Sequence, residues 1–281
     1  MRQREIRLPG CREIELLGRA WLPEQGPRRV VVVSHGLGEH SGRYEALATR
    51  LVEEAGCAVY AVDHRGHGRS GGAAPANIDR FDYVVSDLGT FIGRAQREHP
   101  GTPTILFGHS MGGLVALDCA LRNPRVLTGL VLSAPALAPG EAVPSLRRAV
   151  AGFLARVAPN TGALAIEASA VSRDPAVVRA YQQDPLVFHG SVPARTAVEL
   201  LQAMESVAGR AHQLRLPLLV QHGSADRLVP LAAVQPLYQR LGDPKLRTLR
   251  VYEGLFHEIY NEPERDRVIG DLLSWLAAVG H

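Results

Sequence analysis

The sequence predicts an α/β fold: a mostly parallel central sheet with helices on both faces, interrupted once by a helical insertion. Three observations predict it. Short apolar, β-branched runs recur along the chain. Amphipathic helical patterns separate them, which is the signature of parallel strands joined by crossover helices. In the middle of the chain the strand rhythm lapses, and it resumes only near Pro217.

The elements follow in order. "RRVVVVSHG" (Arg28–Gly36) reads as a buried strand ending in a glycine-containing loop. "YEALATRLVEEAG" puts Tyr44, Leu47, Leu51 and Ala55 on one helical face. "CAVYAVDHRGHG" is a second strand ending in a loop rich in His and Gly. A helix follows over about Phe81 to Glu98, stopped by "HPG". "TILFGHS" is the third strand, "MGGLVALDCALRN" a helix stopped by Pro124, and "LTGLVLSAP" a fourth strand. From 136 to 207 no convincing strand is read. "PSLRRAVAGFLARVAPN" is read as a helix with Leu146, Val150, Phe153, Leu154 and Val157 on one face and Arg147, Arg148 and Arg156 off it. "DPAVVRAYQQDPLVFHG" and "ARTAVELLQAMESVAG" read as further helices. "PLLVQHGSAD" and "LRTLRVYEG" resume the strands, with helices over about Leu231–Leu241 and Glu264–Ala278. The expected organisation is a core of residues 1–135 and 208–281 carrying an inserted helical cap, or lid, of residues 136–207.

Composition narrows the function class. The chain has 281 residues, 46% hydrophobic and 21% charged, enough for one large core with an insertion. A net charge of +3 is small and scattered and gives no reason to expect nucleic acid. Cys11, Cys57 and Cys119 are far apart and show no CxxC spacing, so neither a zinc site nor a disulfide framework is expected. The start of the chain shows no unbroken apolar stretch of signal-peptide type, and no run approaches spanning length. A cytoplasmic protein is expected, with peripheral membrane contact left open.

"GHSMGG" carries the chemistry. Gly108-His109-Ser110-Met111-Gly112 fits G-x-S-x-G in the strand-to-helix context that motif requires. A strand turning directly into a helix strains its middle residue, and side chains two positions away would clash, so Gly108 and Gly112 suit the turn. Ser110 then stands at a helix N-terminus, which favours an anion. The alternative is a tight turn using the serine as an N-cap. A serine hydroxyl needs a base. Asp226, just beyond a strand, and His257, in the loop after the next strand, follow in the order Ser, Asp, His. The aspartate would orient the imidazole and stabilise its cation. Asp63 is a rival acid but precedes the serine. Glu258 adjoins the histidine and is expected to point away from it. An oxyanion needs two N–H donors. Met111 follows the nucleophile, and Leu37, between Gly36 and Gly38, is the second candidate. His35 and His109 are read as structural, bonding loop backbone. "DHRGHGRSGG" lacks the spacing of a phosphate-binding loop and is read as supporting the site. The chemistry calls for no metal and no cofactor.

With Ser110, Asp226 and His257 in place, the chain resembles the bacterial monoacylglycerol lipases of the α/β-hydrolase superfamily over nearly its whole length. "HGLGEHSGRY", "DHRGHGRSGG", "GHSMGG", "SAPAL", "HGSADRLVP" and "FHEIYNEPER" carry the resemblance. "GHSMGG" is shared by many hydrolases; the first two segments together are far more specific. The resemblance implies an α/β-hydrolase fold, a Ser110–Asp226–His257 triad and an oxyanion hole from the N–H groups of Leu37 and Met111. It implies a cap over a long acyl tunnel that touches lipid, and Glu39 and Arg43 near the glycerol end or its exit. It implies hydrolysis of monoacylglycerol to fatty acid and glycerol through an acyl-enzyme. Lysophospholipids, short esters and thioesters are alternative substrates for the same triad. A non-catalytic ligand-binding relative is the alternative from another class. Tyr260 and Val229 depart from the mammalian pattern, which has a histidine and a cysteine there.

Overall fold

The structure is a computed structural model and describes residues 1–138 and 152–279. Eight strands form one sheet, in the spatial order β1 (Arg2–Pro9), β2 (Glu15–Leu22), β4 (Cys57–Val62), β3 (Arg29–Ser34), β5 (Thr104–His109), β6 (Gly129–Ser133), β9 (Leu218–Gly223) and β10 (Arg247–Tyr252). Its centre is β3, flanked by β4 and β5. β6, β9 and β10 extend it, and all six of these strands run parallel. The central strands are almost continuously apolar because helices cover both faces, whereas the edge strand β10 carries Arg247 and Arg250. Val30 and Val32 join the core on one face, with α2 (Phe81–Glu98) and α3 (Met111–Arg122). Val31 and Val33 join the core on the other, with α1 (Glu45–Ala55) and the last helix, Arg265–Ala278.

The chain leaves β3 for β4 on one side, then returns past β3 to β5 on the other. Such a reversal opens a crevice beyond the carboxyl ends of the two central strands. Leu37 follows β3 and Ser110 follows β5, so both candidate residues lie at that crevice.

Two features differ from the sequence reading. β1 (Arg2–Pro9) and β2 (Glu15–Leu22) add an antiparallel hairpin to the sheet edge. β1 buries Ile6 alone and carries Arg and Glu, as an edge strand that avoids further pairing does. The insertion between β6 and β9 holds two short strands where none was expected: β7 (Gly162–Ala165) pairs antiparallel with β8 (Ser191–Pro193). Pieces of four and three residues are too short for a period to show.

The described remainder of the insertion consists of helices joined by loops. Residues 152–157 are helical, followed by helices Pro175–Gln183 and Ala194–Arg210. Asp174 caps the second by accepting from Ala176 N–H at 2.8 Å. It ends before Asp184-Pro185, so "DPLVFHG" is not helical as expected. The Leu146, Arg147, Arg148 and Val150 part of the expected amphipathic helix lies outside the described residues. Ala194–Arg210 is docked on the core: Arg210 bonds the buried Asp118 of α3 at 2.6 Å, and Glu199 accepts from Phe81 N–H at 2.9 Å.

Phe91 of α2 is fully buried, with its ring edge-on to Tyr60 at 6.5 Å. It also fills the space above Gly18 of β2. Phe91→Ala is expected to destabilise the protein by about 3–5 kcal/mol. A urea titration should show a lower midpoint with an unchanged slope.

Candidate active site

β5 passes into α3 through a single residue, Ser110, with φ 52° and ψ −120°. That positive φ is rare for a side-chain-bearing residue and is a local strain. The Ser110 N–H is held by Ser133 O at 3.0 Å. The turn tolerates no side chain two positions to either side of Ser110. A Cβ on Gly112 would sit 2.1 Å from Ser34 O, and one on Gly108 would sit 2.4 Å from Gly112 O. Met111 opens α3, so its N–H has no partner within the helix. Among the described residues the Leu37 N–H likewise has no acceptor.

The candidate acid and base come from loops after β9 and β10. His257 Nδ1–H donates to Asp226 Oδ2 at 2.7 Å. Asp226 Oδ1 accepts from the N–H groups of Leu228 and Val229, both at 2.9 Å. Burial alone would raise this carboxyl. Bonds from His222, His257 and the Val229 N–H outweigh it and hold the carboxyl well below the usual range. Asp226 therefore stays ionised and can stabilise an imidazolium. No hydrogen bond joins Ser110 Oγ to His257 in this structure, but both side chains line one cavity of about 200 Å³. Leu37 and Met111 share that wall.

Sequence reasoning missed the residues that hold the histidine loop. Glu262 is fully buried and accepts from Phe256 N–H at 3.1 Å, Arg173 N–H at 3.0 Å and Arg173 Nε–H at 3.0 Å. The Glu258 N–H donates to Val171 O at 2.8 Å. The loop bearing His257 is thus stitched to residues 171–173 of the insertion. The signal was an acid in a loop, followed by Pro263 and charged residues, which reads as solvated.

Glu39 lines the cavity and Arg43 lies behind it. Glu39 Oε1 accepts from Gly36 N–H at 2.6 Å and Tyr44 OH at 2.7 Å. Arg43 lies 3.4 Å from Glu39 and donates to Glu258 at 2.5 Å, with its guanidinium over the Tyr181 ring. Burial would raise the Glu39 carboxyl, but His109, Arg43 and the Tyr44 bond pull it down to about 2. Burial pushes the Glu258 carboxyl up against the pull of Arg43. Glu258 does turn toward Arg43 and Asn261, yet it also lines the cavity.

Asp63, the rival acid, accepts from the backbone N–H groups of Ser41 and Arg69 at 2.8 and 2.9 Å and braces loops instead. The "DHRGHGRSGG" loop is built on buried histidines. His35 Nδ1–H donates to Gly36 O at 2.7 Å, and its Nε2 accepts from His64 N–H at 2.9 Å. His64 Nε2 pairs with Ser34 Oγ at 2.8 Å. His109 corrects the expectation of a backbone bond. It pairs with the Ser133 hydroxyl at 3.1 Å, and its ring lies 4.7 Å from that of His257. Among the described residues no group of three or more His, Cys, Asp or Glu side chains is placed to hold a metal ion.

The switch-point crevice, the strained serine elbow and the Asp–His pair beyond later strands define an α/β-hydrolase. The family described as serine aminopeptidase, S33, matches residues 25–264, and the chain belongs to that family. A monoacylglycerol lipase of Mycolicibacterium smegmatis is 42% identical over 269 residues, covering 96% of this chain and 95% of that protein. The monoglyceride lipase of Homo sapiens is 36% identical over 265 residues, covering 93% of this chain and 86% of that one. Among solved structures, a Paleococcus ferrophilus monoacylglycerol lipase superposes with a TM-score of 0.81 at 32% identity, covering 94% of this chain and 98% of that one.

The buried histidines make stability depend on pH. Burial first, then neighbouring histidines, lower His67 and His109 to about 3 from an ordinary 6.5. His35 and His64 are lowered as well, chiefly by burial. Below pH 6.5 the unfolded chain takes up these protons and the folded one does not. Stability is therefore full above pH 6.5 and falls as the pH drops toward 3. At pH 5 the expected loss is at most about 2 kcal/mol for each of His67 and His109. Urea unfolding at pH 7 and pH 5 measures it, and equal midpoints would contradict it.

Proposed function

We propose that this protein is a serine hydrolase that cleaves monoacylglycerols to fatty acid and glycerol through an acyl-enzyme. One observation carries the reading. The cavity bearing Ser110 and His257 is walled by apolar side chains such as Ile166, Val171, Leu200 and Leu228. It also carries Glu39 and Glu258, with no lysine or arginine among its described lining residues. An acyl chain suits the apolar wall, and a neutral polyol suits the acidic one. A phosphate head group would meet two carboxylates, with Arg43 already committed to both. This disfavours lysophospholipids. Relatives named as monoacylglycerol lipases at up to 42% identity support the same reading.

The steps follow from the geometry. Asp226 holds His257 with Nδ1 protonated, leaving Nε2 free to take the Ser110 proton as Oγ attacks the ester carbonyl. The N–H groups of Leu37 and Met111 stabilise the oxyanion. His257 then protonates the departing glycerol oxygen. Water deprotonated by His257 attacks the acyl-enzyme, releases the acid and restores the serine. The serine–histidine bond tightens when substrate fills the cavity.

Residues 136–207 act as the cap over this cavity. Their described part exposes Phe153 and Val157, at 64% and 60%, beside the exposed Arg156. Apolar tips with a basic neighbour suit shallow contact with an anionic lipid surface. No helix among the described residues is long and apolar enough to cross a membrane.

Turnover of 1-monooleoylglycerol, di- and triacylglycerol, lysophosphatidylcholine and p-nitrophenyl butyrate tests the function. Monooleoylglycerol is expected to be cleaved at least tenfold faster than lysophosphatidylcholine, and Ser110→Ala to lower kcat by about 10³-fold or more. Turnover of short esters alone would refute the lipase reading and keep the triad. No ester turnover would point to a ligand-binding relative. In vesicle flotation at low salt, Phe153→Ser with Val157→Ser is expected to cut binding to anionic vesicles severalfold. Unchanged or absent wild-type binding would refute the lipid contact.

A further inference from the structure

His222 is the penultimate residue of β9, four residues before Asp226, and is fully buried. Its Nε2 lies 2.8 Å from Val229 O and 3.3 Å from Asp226 Oδ2. Both neighbours are acceptors, so Nε2 carries the hydrogen. Val229 O takes the shorter bond and the carboxylate the longer contact. Nδ1 is buried and has no partner. A ring that leaves one nitrogen unsatisfied inside the protein is costly. The other nitrogen is spent on the loop of the candidate acid.

We propose that His222 is a positioning residue for Asp226, fixing the turn that carries it and drawing charge from the oxygen that meets His257. Val229 is gripped through both of its backbone groups: its N–H lies on Asp226 Oδ1 and its C=O on His222. The turn therefore cannot rotate without breaking one of the two. The His222 N–H edge also shares Oδ2 with His257. A carboxylate that loses this neighbour holds the His257 imidazolium more tightly. The other titratable groups that bear on His257 are the His109 ring at 4.7 Å and Glu258, with Glu39 and Arg43 next to these.

The inference rests on Asp226 and His257 acting as proposed above, and the pH profile of kcat/KM for p-nitrophenyl butyrate tests it. In His222→Leu and His222→Asn the acid-limb midpoint is expected to move up by about half a pH unit or more. The plateau is expected to fall about tenfold, as for other groups that orient a ligand or acid. His222→Gln places an amide N–H where Nε2 stood and is expected to return the midpoint to that of wild type. A role in packing alone would lower the plateau and Tm of all three while leaving the midpoint in place, and that result overturns the proposal. If the first two variants do not fold, 15N-histidine NMR of the wild type decides. His222 protonated on Nε2 is expected; a neutral ring protonated on Nδ1 overturns the proposal. A wild type that cleaves no ester, or that keeps its activity as Ser110→Ala, refutes the triad instead.

Discussion

The structure depends on how closely α3 approaches the central strands. With a single residue between β5 and α3, the first turn of that helix lies against the end of β3. The carbonyl oxygens of Ser34 and His35 occupy the space where a Cβ of Gly112 would be. Nothing larger than glycine fits, so the helix start is fixed in place. That contact forces Ser110 into its strained conformation and aims its side chain out of the sheet. It also sets the Met111 N–H beside the loop that carries Leu37. The cost of the strain is met by the apolar burial of α3, whose residues from Met111 to Ala120 are buried.

Around this contact the loops are polar but dry. Buried histidines, Asp63, Asp87 and Arg65 supply the hydrogen bonds that loop backbone would otherwise draw from water. Asp87 accepts from Cys11 N–H at 2.6 Å and from Arg65 Nε at 2.8 Å, and so ties the edge hairpin to the second loop. The acid, the base and the head of the cavity sit inside this network. Charges are strong there because water is scarce, and each is paired. Asp226 faces two histidines and two backbone N–H groups, and Glu39 faces Arg43, Tyr44 and Gly36.

The central strands were legible because Val30 to Val33 and their counterparts are β-branched and buried on both faces. Ser110, Asp226 and His257 were legible because their chain order and their places after strands follow one topology. β1 was not, since its charged residues outnumber its one buried side chain. β7 and β8 were too short to have a period. His222 and Glu262 were hidden for another reason. Glu262 works through contacts that exist only once two segments have folded against each other, and His222 through contacts made only when the turn after β9 folds back on the strand end. A faint signal was present for His222, a polar ring at the end of the apolar run "PLLVQHG".

The stitching between the histidine loop and residues 171–173 bears on how such proteins can be recombined. Exchanging residues 136–207 for the matching piece of a relative would replace Arg173 and the Val171 carbonyl while leaving Glu262 behind. The fully buried carboxylate would then face strangers, and the segment holding His257 would lose its anchor. The natural module for transplantation is therefore discontinuous. It pairs the inserted segment with residues 256–262, which lie far away in the chain and adjacent in space.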